Sequence, residues 1–187
     1  ERVALGSQPE DVVRDGLNAI SGYRAGGVLS VASHFPGAGL SIRRSDGVWQ
    51  IPADQMDAMS VAMEPFKAAI DEGVAGLLVG HMAVPVIDPD NPDQPAIHSK
   101  KLLRIFLRDT LRFSGIAIAD DLERSPVLND QTLGRLAATA LGSGCDALLL
   151  LDADRSKLHE ICSDLVRYAS HEDFPLAQLK SSRSRLN

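Results

Sequence analysis

The sequence lacks most of the features by which small binding modules and disulfide scaffolds are recognised. Aromatic residues make up only 4% of its 187 residues, and the only cysteines are Cys145 and Cys162, whose separation does not match a metal-ligand pattern. A zinc site is therefore not expected. We predict both thiols to be reduced core residues of a cytoplasmic protein, although an isolated pair leaves a disulfide open.

Long apolar runs and basic blocks are also missing. No stretch is long and apolar enough to span a membrane, and the first residues do not form a signal-peptide pattern. The chain opens on Glu1 without a starting methionine, so we expect a fragment or a processed product. The formal net charge is -6, and the basic stretch at 180–185 is short. We therefore expect neither a membrane nor nucleic acid as a partner.

What is present is a regular alternation of apolar runs and helical patterns, with 44% hydrophobic residues to form a core. Such an alternation predicts an α/β protein with a parallel sheet in a single domain, residues 1–187. Pro65 is expected to split one helix in two. The predicted strands are Val28–Phe35, Val74–Gly80, Gly115–Ala119 and Ala147–Leu151, and the predicted helices are Ser7–Tyr23, Asp54–Glu72, Ser99–Phe113, Asp130–Leu141, Leu158–Tyr168 and Leu176–Leu186.

Two architectures fit this order of elements, an open doubly wound sheet and a barrel. The glycines of Gly37-Ala38-Gly39 do not have the spacing of a dinucleotide-binding turn, and no P-loop pattern occurs. We therefore predict a parallel (β/α) barrel of the TIM type, to which this chain supplies about four βα units. Half a barrel leaves two sheet edges unpaired. Either the rest of the barrel is absent from this chain, or a partner chain or second copy completes it.

The stretch 115–122 carries the clearest chemical pattern, because a short apolar run ends there in the adjacent carboxylates of Asp120 and Asp121. Carboxylates at the C-terminal end of a barrel strand lie where such barrels hold their active sites. The alternative is structural: one aspartate caps the next helix, and the other is solvated.

Several strings resemble, in chain order, motifs of glycoside hydrolase family 3, and in particular its bacterial β-N-acetylhexosaminidase branch. The resemblance runs through nearly the whole chain. That family folds as a (β/α)8 barrel, so the resemblance implies that this chain holds the second half, strands five to eight. The strings are Glu1-Arg2 with Gly6-Ser7-Gln8-Pro9 (similar to ERxFGxDP), Ser33 to Gly39 (KHFPGHG), Ile51-Pro52 (LP), Glu64-Pro65-Phe66 with Ala69-Ile70 (LxPFxxAI), Gly80-His81-Met82 (AHI), Pro95 to Ser99 (PATxS), Leu103 to Gly115 (LRxxLGFxG) and Ala119 to Leu122 (SDDL).

The resemblance implies a retaining glycosidase, in which a carboxylate attacks the anomeric carbon and a second group protonates the leaving oxygen. Asp120 takes the position of the nucleophile, and Asp121 that of a supporting or capping residue. Arg2 and His34 take the positions of the family's sugar-binding arginine and histidine. The implied ligand is an amino sugar or a muropeptide fragment, and no metal or cofactor is expected.

Several positions of the family pattern are changed in this chain. The family's acid/base histidine falls on Val48 and its paired aspartate on Asp46, while the sugar-binding lysine falls on Ser33. A missing general acid costs ~10²–10⁴-fold in rate. Three functions stay open: a degenerate sugar-binding relative, a retaining glycosidase in which Asp46 or a good leaving group compensates, and a protein-interaction scaffold. An unrelated βα protein is a further alternative.

Other polar residues near the predicted barrel mouth are candidate contacts. His81, at a strand end, is predicted to contact ligand or to make a structural hydrogen bond. Trp49 is predicted to stack on a sugar or to anchor its loop. His98 is expected at the surface, and the loop 88–93 is expected to be solvated rather than a calcium site.

Overall fold

The computed structural model describes residues 5–125, 131–170 and 174–187, which alternate between strands and helices. Short 3-10 turns lie at Ala38–Leu40, Ala96–His98 and Leu122–Arg124. In chain order the main elements are α1 (Pro9–Ala25), β1 (Val31–Phe35), β2 (Ile42–Arg43), β3 (Trp49–Gln50), α2 (Met56–Asp71), β4 (Gly76–Val79), a π-helix (Lys101–Thr110), β5 (Ile116–Ala119), α3 (Leu133–Ser143), β6 (Ala147–Leu148), α4 (Arg155–Ala169) and α5 (Leu176–Leu186).

Strands β1, β4, β5 and β6 form one parallel sheet in that order. Each connection between neighbouring strands contains a helix, as parallel pairing requires. The predicted α/β class with a parallel sheet is confirmed, although the strands are shorter than predicted. Among the described residues the sheet does not close, so β1 and β6 are its edges.

The two faces of the sheet differ in burial. In one row of side chains all members are fully buried, and Phe35 of this row packs edge to face on Phe66 of α2, with 5.5 Å between ring centroids. In the alternate row Val31 is 47% exposed, and Leu78 and Ile118 are only half-buried. One face is therefore the core beneath the helices, and the other is left partly open. The buried row comprises Phe35, Leu77, Val79, Ala117 and Ala119.

Helix α2 continues through Pro65, so the predicted split of this segment is wrong. Proline removes one backbone hydrogen bond from a helix interior. The buried face of α2, which includes Met59, Met63 and Phe66, packs into the main core. We attribute the continuous helix to this packing, which outweighs the lost bond.

The segment predicted as a helix over 99–113 forms a π-helix at Lys101–Thr110. Ser99 caps it as predicted, because its Oγ accepts a hydrogen bond from the Leu102 backbone N–H at 3.1 Å. Leu103 and Leu107 are buried on its inner side. Neither this helix nor any other described one has the length and apolar character needed to cross a bilayer.

The long loop predicted between β1 and Pro52 contains regular structure that the sequence did not indicate. Strands β2 and β3 pair as a small antiparallel hairpin, with Ile42 opposite Gln50 and Arg43 opposite Trp49. Two-residue strands are too short to show an alternating pattern, which explains why the hairpin was not predicted.

The two cysteines differ in environment. Cys145 is fully buried, and burial raises the pKa of its thiol, as expected for a core residue. Cys162 is exposed on α4, so its predicted core position is wrong. The reason is that α4 buries little more than Ile161 among its described residues.

Gly134 marks a close approach between α3 and α4. A Cβ added at this position would lie 2.1 Å from the Asp164 Cβ. We expect Gly134→Ala to lower the free energy of unfolding by ~1–3 kcal/mol in urea denaturation, because the helices must separate. Gly22→Ala is the matched control, since nothing lies within 4 Å of the added Cβ in α1. That variant should gain about 0.4–1 kcal/mol, and equal effects of the two changes would contradict the explanation.

Candidate active site

Three predicted site residues lie together at the C-terminal end of the parallel strands. His34 lies near the end of β1, His81 follows β4, and Asp120 directly follows β5. The strands are parallel, so their carboxyl ends meet at this end of the sheet, where α/β barrels hold their chemistry. The pairing of β1 with β4 shifts register between Ser33 and Phe35, next to His34. Ser33 is exposed next to His34, and both the Ser33–His34 and Phe35–Pro36 peptide bonds are cis.

The Asp120 carboxylate is held on one side and open on the other. Its Oδ1 accepts a hydrogen bond from the Asp121 N–H at 2.8 Å, and its own N–H donates to the Val79 carbonyl at 3.0 Å. Its Oδ2 lies 3.6 Å from Nε2 of His34. The Asp120 side chain is 23% exposed at the strand end.

His81 is turned toward the backbone of the same strand end. Its Nε2 lies 2.9 Å from the Asp121 carbonyl oxygen. A carbonyl oxygen only accepts, so this nitrogen carries the proton. Burial lowers the pKa of His81, and the nearby negative charge of Asp120 opposes that shift. The ring is therefore neutral near pH 7.

Asp121 is nearly fully buried, and its predicted capping role is confirmed. Its Oδ1 accepts a hydrogen bond from the Glu123 N–H at 3.3 Å at the start of the following 3-10 turn. The Leu151 N–H approaches the same oxygen at 3.4 Å, and Nε of Arg124 lies 3.4 Å from Oδ2. Asp121 therefore joins the loops that follow β5 and β6.

The hairpin that carries Asp46 is tied to another loop. Arg44 contacts both Asp46, at 2.7 Å, and Asp93 of the loop 88–93. The Asp46 Oδ1 also accepts a hydrogen bond from the Val48 N–H at 3.2 Å. Within the described ranges, none of the hydrogen bonds or ion pairs of Asp46 involves Asp120. The structure thus places Asp46 in a local cluster rather than against the strand end.

Trp49 connects the hairpin to the segment after β4. Its carbonyl accepts a hydrogen bond from the Ala83 N–H at 2.8 Å, and the Ile51 N–H donates back to the Ala83 carbonyl at 2.9 Å. Trp49 itself stays 47% exposed. Arg2, the remaining predicted sugar contact, lies outside the described residues.

Two further expectations are corrected by the structure. His98 is 5% exposed rather than at the surface, because the 3-10 turn at Ala96–His98 folds into the core. In the loop 88–93, residues 89–93 are exposed as expected, but Asp88 is only 4% exposed. Its two oxygens accept hydrogen bonds from Ser99 Oγ at 2.6 Å and Asn91 Nδ2 at 3.1 Å. In the part of the chain that the structure describes, no group of three His, Cys, Asp or Glu residues is placed to hold a metal.

The buried ring of His98 makes stability depend on pH. Burial lowers the pKa of His98 from 6.5 to about 4. The unfolded chain therefore takes up a proton more readily, and stability falls as pH drops from 6.5 toward 4. The total loss from this group is about 3 kcal/mol. Urea denaturation at several pH values should show this slope in the wild type and a flatter one in His98→Leu. The exposed His159→Leu should keep the wild-type slope, and a slope unchanged in His98→Leu would contradict the explanation.

Comparison with known proteins identifies the family. A family model described as the glycosyl hydrolase family 3 N terminal domain matches residues 2–187. A β-hexosaminidase of Methylobacillus flagellatus is 34% identical over 154 residues, which is 80% of this chain and 42% of that protein. A β-hexosaminidase of Vibrio cholerae is 32% identical over 149 residues, 79% of this chain and 43% of its own length.

Solved structures agree with this assignment. The β-N-acetylglucosaminidase from Thermotoga maritima covers 97% of this chain with a TM-score of 0.83 and 26% identity, and the match spans 39% of that chain. The β-N-acetylhexosaminidase from Beutenbergia cavernae covers 97% with a TM-score of 0.81 and 27% identity, spanning 52% of its own chain. The predicted TIM-type barrel fold is thereby confirmed, although the residues that the structure describes do not form a closed barrel. This chain spans less than half the length of the curated relatives, and by its match over residues 2–187 it belongs to glycosyl hydrolase family 3.

Proposed function

We propose that this chain carries the nucleophile half of a glycosidase site for β-linked N-acetylhexosamine sugars, with Asp120 as the nucleophile. The observation that carries the proposal is the position of Asp120 at the carboxyl end of β5, where its side chain is partly exposed and its Oδ2 lies 3.6 Å from His34 Nε2. The relatives named above are two β-hexosaminidases, a β-N-acetylglucosaminidase and a β-N-acetylhexosaminidase, which supports the substrate class. The chain covers only part of those proteins, so activity of the whole protein is part of the proposal.

The geometry of Asp120 fits the first step of a retaining mechanism. A carboxylate nucleophile must be ionised, oriented and reachable by the anomeric carbon. One oxygen is oriented by the Asp121 N–H, which leaves the other for attack. His34, half exposed beside that oxygen, offers a ring nitrogen to a sugar hydroxyl or to the carboxylate. Ser33 and Trp49 stay proposed as sugar contacts at the same mouth, and Arg2 as one by family resemblance.

The described site has no free acid in place to protonate the leaving group. Valine at position 48 cannot transfer a proton, and the Asp46 carboxylate is engaged by Arg44 and by the Val48 N–H. Asp46 stays proposed as a substitute acid, but it must leave both contacts to reach a leaving oxygen. We therefore expect hydrolysis to depend strongly on the leaving group, because unassisted departure is ~10²–10⁴-fold slower for poor leaving groups.

A carbohydrate-binding module without turnover is the second candidate, favoured by the same lack of an acid/base histidine. In that case the mouth binds an amino sugar or a muropeptide fragment, and Asp120 acts as a hydrogen-bond acceptor. For both the glycosidase and the binding module, we propose a cytoplasmic role in cell-wall recycling.

The partly exposed apolar face of the sheet is the reason to propose a further polypeptide segment as partner. Val31 on the edge strand is 47% exposed, and Leu78, Ile116 and Ile118 on the same face are half-buried. Unpaired edges and a partly exposed apolar face are costly for an isolated domain. We propose that a further βα segment, in the same or another chain, covers this face and completes the barrel.

The proposal is tested by comparing aryl β-N-acetylglucosaminides with good and poor leaving groups. We expect turnover of the dinitrophenyl β-N-acetylglucosaminide, which has a good leaving group. The methoxyphenyl β-N-acetylglucosaminide, which has a poor one, should be hydrolysed very little. Azide should accelerate the reaction, because it attacks the intermediate without a general base. Saturable N-acetylglucosamine binding without any turnover would instead establish the binding module. Equal kcat/KM values for both substrates would show that an acid assists departure of the leaving group, because kcat/KM reports the first step.

A further inference from the structure

His81 lies beside the proposed nucleophile, and its ring is hydrogen-bonded to the backbone rather than left open to a ligand. Its Nε2–H donates to the Asp121 carbonyl at 2.9 Å. Its other nitrogen, Nδ1, is buried and has no hydrogen-bond partner among the described residues. A sugar bound at the mouth would therefore find neither ring nitrogen available for a hydrogen bond.

The carbonyl that His81 holds belongs to the residue that orients Asp120. The Asp121 N–H donates to Asp120 Oδ1 at 2.8 Å. The Asp121 carbonyl accepts two hydrogen bonds, one from the Arg124 N–H at 3.0 Å and one from His81. Of these two donors, His81 is the one supplied by another strand, since it follows β4. The His81 ring thus links the ends of β4 and β5 next to the peptide that orients the Asp120 carboxylate.

We propose that His81 is a positioning residue, which fixes the Asp121 peptide and through it the direction of the Asp120 carboxylate, rather than a sugar contact. This inference rests on the proposed function of Asp120. Its physical basis is orientation: a displacement of about 1 Å at a reacting group can cost ~10²-fold in rate. Without the histidine donor, the Asp121 carbonyl keeps only the bond from the following turn, and the peptide is free to tilt.

Two substitutions separate positioning from sugar contact. His81→Gln can place an amide N–H near the position of Nε2, whereas His81→Leu offers no donor. For the leucine variant we expect the rate of dinitrophenolate release at saturating substrate to fall by up to ~10²-fold, with the dissociation constant of N-acetylglucosamine unchanged. The glutamine variant should recover most of that rate. His159→Leu, on the exposed side of α4, is the control for histidine loss.

The outcomes decide between the roles. A weaker affinity for N-acetylglucosamine with an unchanged saturated rate would make His81 a sugar contact and overturn the inference. Equal loss of rate in both variants together with a lowered melting temperature would make the role purely structural and would also overturn it.

A second measurement does not depend on activity. The ¹⁵N shifts of the His81 ring in the wild-type chain at pH 7 should show a neutral ring protonated at Nε2. A ring protonated at Nδ1, or a charged ring, would overturn this inference even if Asp120 reacts. If the ring is as expected but no dinitrophenolate is released, the proposed function fails and the catalytic part of the inference fails with it.

Discussion

Replacing Asp146 by alanine is expected to lower the free energy of unfolding by roughly 3–5 kcal/mol. Its side chain has no exposed area, and Arg108 contacts it at 2.6 Å and Arg185 at 2.7 Å. The Ala117 N–H and the Ser182 hydroxyl donate to the same carboxylate at 2.9 and 2.7 Å. Both guanidinium groups are largely buried, so removal of the carboxylate leaves two uncompensated charges in the interior.

This cluster also fixes the end of the chain to the sheet. Arg185 and Ser182 lie on α5, whereas Asp146 directly precedes β6. Urea denaturation of the wild type and of Asp146→Ala measures the effect. The control is Asp11→Ala, which removes an exposed ion pair with Arg14 and should change stability far less. A loss below about 1 kcal/mol for Asp146→Ala would contradict this account, because buried ion pairs lose more when one partner is removed.

Asp120→Asn is expected to abolish turnover of the dinitrophenyl substrate, with a loss of at least about 10³-fold. The asparagine has the same shape, and its side-chain oxygen can still accept the Asp121 N–H. It cannot form the glycosyl ester, because an amide is a very poor nucleophile. Binding of N-acetylglucosamine and the melting temperature should stay close to those of the wild type.

The control for this substitution changes another aspartate in the same way. Asp15 lies on the exposed side of α1, where its carboxylate accepts hydrogen bonds from Arg14, and Asp15→Asn is the matched change. It should keep the wild-type rate. If Asp120→Asn turned over the substrate at the wild-type rate, the assignment of Asp120 as the nucleophile would be wrong.

The sheet and its approximate strand positions were predictable because apolar runs bounded by glycine and charge alternate regularly with helical patterns. Helix-breaking residues were less reliable signals. Pro65 lies inside an unbroken α2, because the packing of this helix against the core outweighs the lost hydrogen bond. The hairpin of β2 and β3 depends on backbone bonds to Ala83, which is distant in sequence, so no local pattern indicated it. His98 was misplaced for a similar reason, since the turn that carries it is buried by other elements.

The position of the candidate site was predictable, but its contacts were not. Strand ends in a parallel sheet converge, so the approach of His34 and Asp120 follows from the strand assignments. The bond from His81 to the Asp121 carbonyl and the link from Arg44 to Asp93 depend on ring orientation and loop path. The charge pattern of Arg44 and Asp46, two residues apart, was the available sequence signal for that loop.

The most direct test of the central claim is identification of a covalent intermediate on the chain. The wild type is mixed with the dinitrophenyl β-N-acetylglucosaminide, quenched in acid while the intermediate accumulates, digested, and analysed by mass spectrometry. We predict one added N-acetylhexosaminyl group on the peptide that contains Asp120, and none in Asp120→Asn. Release of dinitrophenolate with the sugar attached at another residue, or with no attached sugar, would contradict the assignment of Asp120 as nucleophile.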